Sequence, residues 1–210
     1  MNRVLIAITT RTGTPPTRVR EQAEEALRRA ENAGHAATLR IPEDNYSVAF
    51  CRNQAVHECI QGSYSHLWFI DDDVYVPPNA LVELLAMKQK VSAGVYASIK
   101  TENIGDLKAQ TYIVAGKDGQ WFRNWFKGIR SVDVVGAGCL LLERSVFTAV
   151  KFPWFRWPEG IVDGKHIWKS DDLDFCERCI AAGIGVYVNG DVRCGHVKPV
   201  DIANFVSEEP

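Results

Sequence analysis

The sequence contains no apolar run of about 18 residues, the length that a helix needs to cross a membrane. It also has no excess of one charge: 24 lysines and arginines face 26 aspartates and glutamates, for a formal net charge of -2. Proteins that bind nucleic acid or anionic membranes through their overall field are usually strongly basic. The sequence therefore predicts no membrane span and disfavours nucleic acid as a partner, although a local basic patch, or a modified base as acceptor, stays open.

The sequence shows neither a secretion signal nor a disulfide framework. The apolar run from Val4 to Ile8 is too short for a signal-peptide core, and no small-residue cleavage site follows it. Disulfide frameworks belong mostly to secreted chains much shorter than 210 residues. We therefore expect a cytoplasmic protein, in a bacterium or in the host of a phage or virus. The cysteines, which we expect to be free thiols, are Cys51, Cys59, Cys139, Cys176, Cys179 and Cys194.

Apolar strands and an amphipathic helix alternate at the start of the chain. Arg3 to Thr9 is an apolar, β-branched run typical of a buried strand, and Ala36 to Ile41 is a second such run. Between them, apolar residues at helical spacing from Val19 to Ala33 predict a helix that ends at Gly34. With 46% hydrophobic residues, the chain has enough apolar side chains for a sizeable core. This order predicts an α/β fold with an open sheet in a single domain over residues 1–210.

The pattern continues with shorter elements. The further predicted helices are Ser47 to about Gln61, one that starts after Pro78, Ser145 to Val150, and Asp172 to Ala182. The further predicted strands are His66 to Ile70, Val91 to Tyr96, Tyr112 to Ala115, Val132 to Val135, Cys139 to Leu142, Gly185 to Val188 and Val192 to Cys194. Phe152 to Ile161 is predicted to be an aromatic loop that contains prolines.

Three consecutive aspartates, Asp71, Asp72 and Asp73, follow the predicted strand that ends at Ile70. Carboxylates this close repel and raise each other's pKa, so a bound divalent cation would stabilise them. In open α/β sheets, ligands bind at the carboxyl ends of the strands. Asp71 and Asp73 can therefore converge on one metal ion, or on a metal ion and a ribose. The alternative is a solvated acidic turn that caps the next helix.

A second acidic group, Ser170-Asp171-Asp172, opens a predicted helix. Capping alone would explain it, because Ser170 or Asp171 can cap the helix and Asp172 favours the positive end of the helix dipole. A carboxylate held at a helix start can also act as general base for an acceptor hydroxyl. His196, after the last strand, is either a structural histidine or a metal ligand, since an imidazole beside carboxylates suits Mn²⁺, with Mg²⁺ also possible.

Two further groups could contact ligands. Arg52 and Asn53 lie near the start of a helix, where an arginine can pair with a phosphate and the helix N-terminus favours anions. The alternative is that Arg52 is a surface arginine without a ligand.

Five of the six tryptophans lie between positions 121 and 168, among them Trp154, Trp157 and Trp168. Such rings can form a stacking platform for a sugar or a base, or can cover the core or a dimer interface.

The order and spacing of these motifs resemble those of GT-A glycosyltransferases, especially the small single-domain enzymes of family 2. The resemblance spans roughly residues 3 to 200, and the joint order of the motifs is more specific than any one of them. It rests on the segments Ile6 to Arg11, Arg52 to Ala55, Asp71 to Asp73, Val135 to Leu142, Ser170 to Phe175 and Gly195 to His196. It implies a Rossmann-like mixed central sheet flanked by helices, with a nucleotide-binding half over about residues 1–100 and an acceptor-binding half over about 101–200.

The implied activity is metal-dependent transfer of a sugar from a UDP- or GDP-sugar to a hydroxyl acceptor, such as a glycan or a protein-linked glycan. On the donor side, the resemblance places Thr9, Thr10 and Arg11 near the nucleotide base. Arg52, with Asn53 beside it, would contact the nucleotide or its diphosphate. Together with Asp71 and Asp72, these five residues are the expected donor contacts in the first half of the chain.

The resemblance implies a metal centre at the aspartates. Asp71 would bind the ribose or a metal-linked water, with Asp72 beside it at the donor. Asp73 would ligate Mn²⁺ or Mg²⁺ directly, and His196 is similar to the additional metal ligand found late in many GT-A chains. Gly138, in the glycine-rich segment, would let the donor sugar or the acceptor approach the backbone.

The sequence departs from the family at the acidic helix start. The usual pattern there is Glu-Asp, in which the Asp is the base of inverting enzymes, whereas this chain has Asp171-Asp172. Alignment puts Asp172 at the position of the base, but a slip of one residue would make it Asp171. Both stay candidates for the catalytic base, and inversion is the favoured stereochemical outcome.

Two alternatives belong to other functional classes. A nucleotidyltransferase acting on a sugar phosphate would also use paired aspartates and a metal, but it usually has a glycine-rich basic loop after the first strand, and Thr10 to Pro16 has one glycine and no lysine. A non-catalytic zinc-binding interaction domain could use Cys176, Cys179, Cys194 and His196. The spacing of Cys176 and Cys179 equally fits the buried face of a helix.

Overall fold

A computed structural model describes residues 1–10, 12–41, 47–99, 111–163 and 165–198. The helices are α1 (Thr17–Asn32), α2 (Val48–Gln61), α3 (Ala80–Ala86), α4 (Val146–Ala149) and α5 (Asp171–Ala181). The strands are β1 (Arg3–Thr9), β2 (Ala36–Arg40), β3 (His66–Asp71), β4 (Val74–Tyr75), β5 (Val91–Val95), β6 (Ala97–Ile99), β7 (Thr111–Lys117), β8 (Gln120–Phe122), β9 (Ile129–Val132), β10 (Val134–Val135), β11 (Cys139–Glu143), β12 (Glu159–Val162), β13 (Lys165–Trp168), β14 (Val186–Arg193) and β15 (Gly195–His196).

The central sheet has seven strands within the described residues, in the order β2-β1-β3-β11-β5-β14-β9. β1 is parallel to β2 and β3, and β5 is parallel to β14. β11 is antiparallel to both of its neighbours, β3 and β5. The strands β2, β1, β3, β5 and β14 therefore all run in one direction. Their carboxyl ends meet at one edge of the sheet, together with the start of β11.

Alternate residues of each central strand face opposite sides of the sheet, as the two-residue period of a strand requires. In β3, Leu67 and Phe69 belong to one core cluster, whereas Trp68 and Ile70 belong to the other. Both faces are covered by helices, because buried residues of α1 and α3 pack into the second cluster and those of α2 and α5 into the first. This two-sided burial explains why the strands read as continuous apolar runs.

The predicted α/β fold with a mixed sheet is confirmed, and the predicted elements differ from the observed ones in detail. Ser47 caps α2 by accepting a hydrogen bond from the N–H of Phe50 at 3.3 Å. Residues 159–161, predicted to be part of a loop, belong instead to β12, which pairs with β13 as a hairpin. Asp163 adopts a φ of 50°, and the Asp-Gly pair that starts there is a hairpin signal. Within the described residues, we find no helix that is both long and apolar enough to span a membrane.

The central position of β11 predicts a large loss of stability when its core is truncated. Leu140 is fully buried, opposite Phe69 of β3 and Ala93 of β5. We expect Leu140→Ala to lower the free energy of unfolding by about 2–5 kcal/mol, because the substitution leaves a cavity in the core beside β3 and β5. Urea unfolding followed by circular dichroism measures this change.

The matched control is Leu39→Ala, because Leu39 lies on the edge strand β2 and is only partly buried. The loss in free energy of unfolding caused by Leu39→Ala should be clearly smaller than that caused by Leu140→Ala. Equal losses at the two positions would contradict the assignment of β11 to the centre of the sheet.

Candidate active site

The carboxyl edge of the sheet carries a pocket of about 500 Å³. Its lining residues are Thr9, Thr12, Val48, Asp71, Asp72, Asp73 and Lys198. The pocket arises where β1 and β3 end, which is the edge at which open α/β sheets bind ligands. Three of the residues expected at the donor, Thr9, Asp71 and Asp72, thus line one pocket with Asp73, the expected metal ligand.

The backbone fixes the acidic turn after β3 on both sides. The N–H of Asp71 donates to the carbonyl of Gly138 at 3.2 Å, and the N–H of Asp72 donates to the carbonyl of Thr9 at 3.1 Å. The turn then leads into the short strand β4. The backbone of this turn is therefore held at the sheet edge by main-chain hydrogen bonds to the neighbouring chain segments.

Arg52 of α2 connects the two acidic motifs. One guanidinium nitrogen donates to Asp171 Oδ2 at 2.8 Å, and the other donates to Asp71 Oδ1 at 2.7 Å. The side chain of Arg52 is 4% exposed, that of Asp171 is 3% exposed and that of Asp71 is 23% exposed. Arg52 also lies over the ring of Phe155, at 5.8 Å from its centroid. A guanidinium this deeply buried is stable only because both carboxylates neutralise and bind it.

The charges around Arg52 shift its pKa and that of Asp71. Burial opposes the positive charge of Arg52, but the carboxylates of Asp71 and Asp171 raise the pKa of the guanidinium well above its usual range. Burial raises the pKa of Asp71; Arg52 lowers it, while the negative charges of Asp73 and Asp172 add to the rise. The side chains of Asp73 and Asp172 therefore both lie close enough to Asp71 to act on it through their charge.

Asp73 forms the second centre of the site. Its Oδ2 lies 3.2 Å from Nε2 of His196 and accepts a hydrogen bond from Nζ of Lys198 at 2.6 Å. Burial alone would raise the pKa of Asp73, but its contacts with His196 and Lys198 lower that pKa to about 2. Asp73 therefore stays a carboxylate through the neutral and mildly acidic range.

His196 reaches Asp73 because the last strand pairs with the acidic turn. Gly195 lies opposite Tyr75 and His196 opposite Val74 in the β15–β4 ladder. The other ring nitrogen of His196, Nδ1, lies 2.7 Å from the carbonyl of Ala97. The ring is 4.9 Å from that of Tyr96, edge to face. This arrangement fixes Nε2 toward Asp73, which is the orientation that a second-shell carbonyl gives to a metal-binding histidine.

The two candidate bases at the start of α5 differ in burial and in hydrogen-bond partners. Asp171 is buried against Arg52, whereas Asp172 is partly exposed. Ser170 Oγ and the N–H of Leu173 both donate to Oδ1 of Asp172. The other oxygen of Asp172 has no hydrogen-bond partner within the described part of the chain. Asp172 therefore presents a free carboxylate oxygen that is held in place by its own helix start.

Asn53 anchors the aromatic loop, residues 152–158, to α2. Its Oδ1 accepts hydrogen bonds from the N–H groups of Trp154 and Phe155 at 2.9 and 3.1 Å, and its Nδ2 donates to the carbonyl of Phe155 at 2.7 Å. Phe155 is buried, stacked on Phe175 of α5 at 4.5 Å and edge-on to Phe69 of β3 at 5.3 Å. Loop, helix and sheet are therefore tied together beside the Arg52 ion pairs.

The tryptophans expected at the acceptor divide into two kinds. Trp154 packs on the core, and its indole N–H donates to the carbonyl of Phe147 at 3.0 Å. Trp157 and Trp168 are 48% and 65% exposed, and their rings stack on each other with centroids 5.7 Å apart. The exposed pair stands on the loop and on β13, immediately before the start of α5.

Packing against Tyr96 accounts for the glycine at position 138. A Cβ on Gly138 would lie 2.7 Å from Val74 and 3.0 Å from Tyr96, and one on Gly136 would lie 2.0 Å from the Tyr96 hydroxyl. The N–H of Gly138 donates to that hydroxyl at 3.2 Å. Burial, with the nearby charges of Asp71 and Asp172, raises the pKa of Tyr96 well above its usual value. Gly138 is thus buried behind a neutral tyrosine.

The remaining nucleotide contacts expected from the sequence are placed as follows. Thr9 and Thr10 are buried, and Thr9 lines the pocket. Thr10 Oγ1 accepts a hydrogen bond from the N–H of Thr12 at 3.2 Å, which shapes the loop after β1. Arg11 lies outside the described residues. Sequence reasoning did not identify Lys198, Tyr96 or Phe155, for which no local motif exists.

The cysteines give the zinc interpretation no support. All six are free and buried. Cys176 and Cys179 belong to one core cluster and Cys194 to the other, so the sheet lies between them. Within the described residues, no three His, Cys, Asp or Glu side chains form a ready-made metal site. A metal at Asp73 and His196 would therefore need further ligands from a bound molecule or from water.

Comparison with solved structures shows the fold. A197 from STIV superposes over 95% of this chain and 87% of its own length, with a TM-score of 0.60 at 14% sequence identity. GalNAc-T7, in a crystal structure with UDP, GalNAc and Mn²⁺, superposes over 95% of this chain and 44% of its own length, with a TM-score of 0.53 at 13% identity. The inositol-1-phosphate CTP transferase from T. maritima superposes with a TM-score of 0.45 at 10% identity, over 94% of this chain and 89% of its own.

No protein-family model and no curated protein matches the sequence. The structural similarity, with the mixed seven-stranded sheet flanked by helices, establishes a GT-A-like fold of the nucleotide-diphospho-sugar transferase type. The fold expected from the order of the motifs is thus confirmed.

The Arg52 ion pairs predict a pH-dependent loss of stability. We expect Arg52→Ala to lower the free energy of unfolding by about 3–5 kcal/mol at neutral pH, because it leaves Asp71 and Asp171 without their counter-charge. The pKa of Asp71, already raised by burial, then rises further. A carboxyl whose pKa is higher in the folded state stabilises the fold at low pH and loses that contribution as the pH rises. The loss in free energy of unfolding caused by Arg52→Ala should therefore be larger at about pH 8 than at about pH 5.

The control is Arg156→Ala. Arg156 makes two hydrogen bonds to Asp174, at 2.9 and 3.2 Å, but its side chain is 46% exposed and Asp174 keeps Arg178 as a partner. We expect a loss of under about 1 kcal/mol there. Urea unfolding at the two pH values measures both variants. A pH-independent deficit in Arg52→Ala would contradict the role assigned to the ion pairs.

Proposed function

We propose that this protein is a metal-dependent glycosyltransferase that moves a sugar from a UDP- or GDP-sugar to a hydroxyl acceptor. The observation that carries the proposal is the convergence of Asp71, Asp73, His196 and Asp172 at the carboxyl edge of the sheet, organised by Arg52. Arg52 links positions 71 and 171, which are far apart in the sequence. A solvated acidic turn or a plain helix cap would not need such a buried connection. The proposed catalytic unit is the whole chain, residues 1–210, with the donor bound mainly by its first half.

The site fits a divalent cation that is bound together with a substrate. Asp73, which lines the pocket, would supply a carboxylate, and His196, whose Nε2 lies 3.2 Å from Oδ2 of Asp73, would supply an imidazole nitrogen. Oxygen ligands with one imidazole suit Mn²⁺, and Mg²⁺ also keeps open positions for substrate phosphates. Asp71 is held by Arg52, so its role is in the outer shell or at the ribose. When bound, the metal would stabilise the charge that develops on the leaving diphosphate.

The donor would lie in the pocket of about 500 Å³ along β1 and β3. We propose that Thr9 and Asp72, which line this pocket, contact the nucleoside together with Thr10 and Arg11. Arg52 is buried and engaged with Asp71 and Asp171, and Asn53 is engaged with the aromatic loop. We therefore propose that these two residues hold the donor pocket in shape.

Asp172 is the proposed base, and Asp171 positions it. Asp172 is partly exposed and has one carboxylate oxygen available, whereas the carboxylate of Asp171 is paired with Arg52. Asp172 would take the proton of the acceptor hydroxyl as that oxygen attacks the anomeric carbon, which corresponds to inversion. The exposed pair Trp157 and Trp168 would stack on the acceptor, since indole faces bind sugar rings well.

The first prediction of this function concerns ligand binding. We expect UDP or GDP, together with Mn²⁺, to raise the melting temperature, because a ligand that binds only the folded state stabilises it by mass action. Neither nucleotide should do so to the same extent in the presence of EDTA. Thermal shift across UDP, GDP, CDP and ADP, with Mn²⁺, Mg²⁺ or EDTA, measures the effect. Release of nucleoside diphosphate from the matching nucleotide-sugar identifies the reaction, whereas release of pyrophosphate would indicate a nucleotidyltransferase.

The second prediction concerns the metal ligand. Asp73→Asn should weaken the Mn²⁺-dependent part of nucleotide binding by at least about tenfold, because it removes the charged ligand of the cation. The matched control is Asp133→Asn, since Asp133 also binds a lysine at 2.6 Å but lies away from the pocket. Isothermal titration with nucleotide, with and without Mn²⁺, measures both variants. Unchanged metal dependence in Asp73→Asn would rule out this ligand.

The third prediction separates the two candidate bases. Asp172→Asn should lower kcat by about 10²–10⁴ with little change in the affinity for nucleotide and metal, because only the proton acceptor is lost. Asp171→Asn should instead lower the melting temperature, since it removes one of the two carboxylates around the buried Arg52. Steady-state kinetics with thermal denaturation distinguishes them. A larger loss of kcat in Asp171→Asn than in Asp172→Asn, at equal folding, would exchange their roles.

A further inference from the structure

The pocket contains a positive charge that none of the motifs accounts for. Of the described side chains that line it, Lys198 alone is basic, beside Asp71, Asp72 and Asp73. Its ammonium donates to Asp73 Oδ2 at 2.6 Å, the same oxygen that faces Nε2 of His196 at 3.2 Å. The ammonium of Lys198, a group well suited to bind phosphates, thus pairs with Asp73, the carboxylate proposed to hold the metal.

The backbone places Lys198 there. The N–H of Val197 donates to the carbonyl of Asp73 at 2.9 Å, directly after His196 pairs with Val74 in the β15–β4 ladder. The main chain therefore passes alongside Asp73 before Lys198. The lysine side chain is 42% exposed, so its ammonium can leave Asp73 without opening the core. A flexible four-carbon stem with a compact charge suits a group that exchanges partners.

We propose that Lys198 is a donor-binding residue: its ammonium pairs with Asp73 in the free site and turns to the diphosphate of the nucleotide when the donor binds. The proposal rests on the function proposed above and deepens it. In the free site Lys198 offsets the repulsion among the three aspartates. A bound diphosphate offers it a more negative partner, and its departure opens Oδ2 of Asp73 to the divalent cation.

Competition for Asp73 Oδ2 has a thermodynamic consequence. A cation that binds the free protein must first displace the lysine, whereas one that binds with nucleotide finds Asp73 already released. Nucleotide and cation should therefore bind with positive coupling, and each should strengthen the other by the same factor. Removing the ammonium should reduce this coupling from both directions.

The experiment compares wild type, Lys198→Ala, Lys198→Arg and Lys117→Ala. Lys117 is the matched control, because it forms a lysine–aspartate pair of the same length, with a side chain 43% exposed, away from the pocket. Titration of UDP, GDP and pyrophosphate in EDTA measures the lysine–phosphate contact without metal. Titration of Mn²⁺ without nucleotide, followed by the electron paramagnetic resonance signal of free Mn²⁺, measures the competition at Asp73.

We expect Lys198→Ala to bind the preferred nucleoside diphosphate about tenfold or more weakly in EDTA, the loss of one charge-assisted contact. The corresponding nucleoside, which lacks phosphates, should bind as tightly as to wild type. Mn²⁺ alone should bind several-fold more tightly to Lys198→Ala. Lys198→Arg should keep most of the diphosphate affinity, and Lys117→Ala should match wild type throughout.

Equal diphosphate affinity in wild type and Lys198→Ala would overturn the proposal for Lys198 while leaving the glycosyltransferase function standing. A loss of nucleoside affinity as large as the loss of diphosphate affinity would also overturn it, because the defect would then lie outside the phosphates. If wild type binds no nucleoside diphosphate even with Mn²⁺, the proposed function itself fails and the role of Lys198 falls with it.

Discussion

The buried guanidinium of Arg52 determines how the site is built. A cation that is 4% exposed is stable only if carboxylates surround it, and its partners come from the end of β3 and from the start of α5. The helix that carries Arg52, the strand that ends in the aspartates and the helix that starts with them must therefore keep fixed relative positions. Phe155, which stacks on Phe175, also lies against the guanidinium, so apolar rings adjoin this centre. Movement of any one of these three elements would leave a buried charge without its partner.

Because of this constraint, the aspartates within each acidic motif have different partners. Asp71 and Asp171 bind Arg52, whereas their neighbours Asp73 and Asp172 have side chains that can reach other groups. One carboxylate of each motif is thus held by Arg52, and another is the one proposed above to bind the metal or to act as the base. The run of aspartates in the sequence therefore contains side chains with different structural surroundings. The negative charge of these carboxylates is offset by Arg52, which is buried, and by Lys198, which lines the pocket.

The fold could be predicted from the sequence, and so could the position of the candidate site at the carboxyl edge of the sheet, because both depend on local patterns. Apolar runs predict the strands, and an acidic turn after a strand predicts the edge at which ligands bind. The roles of Asn53 and Lys198 could not be predicted, because they depend on contacts with residues about a hundred positions away. A glycine such as Gly138 has the same sequence appearance whether it faces a ligand or, as here, the ring of Tyr96. Likewise, no pattern separates Trp154, which packs on the core, from the exposed Trp157.

The same contacts would connect the proposed acceptor platform to the proposed base. The aromatic loop is held at Trp154 and Phe155 by the side chain of Asn53, and the ring of Phe155 stacks on Phe175 of α5. The exposed pair Trp157 and Trp168 stands on this loop and on the hairpin that leads into α5. An acceptor that stacks on these rings would thus be positioned by the helix whose first turn carries Asp172. Since a misplacement of about 1 Å can cost about a hundredfold in rate, a rigid link between platform and base favours catalysis more than an independent, mobile platform would.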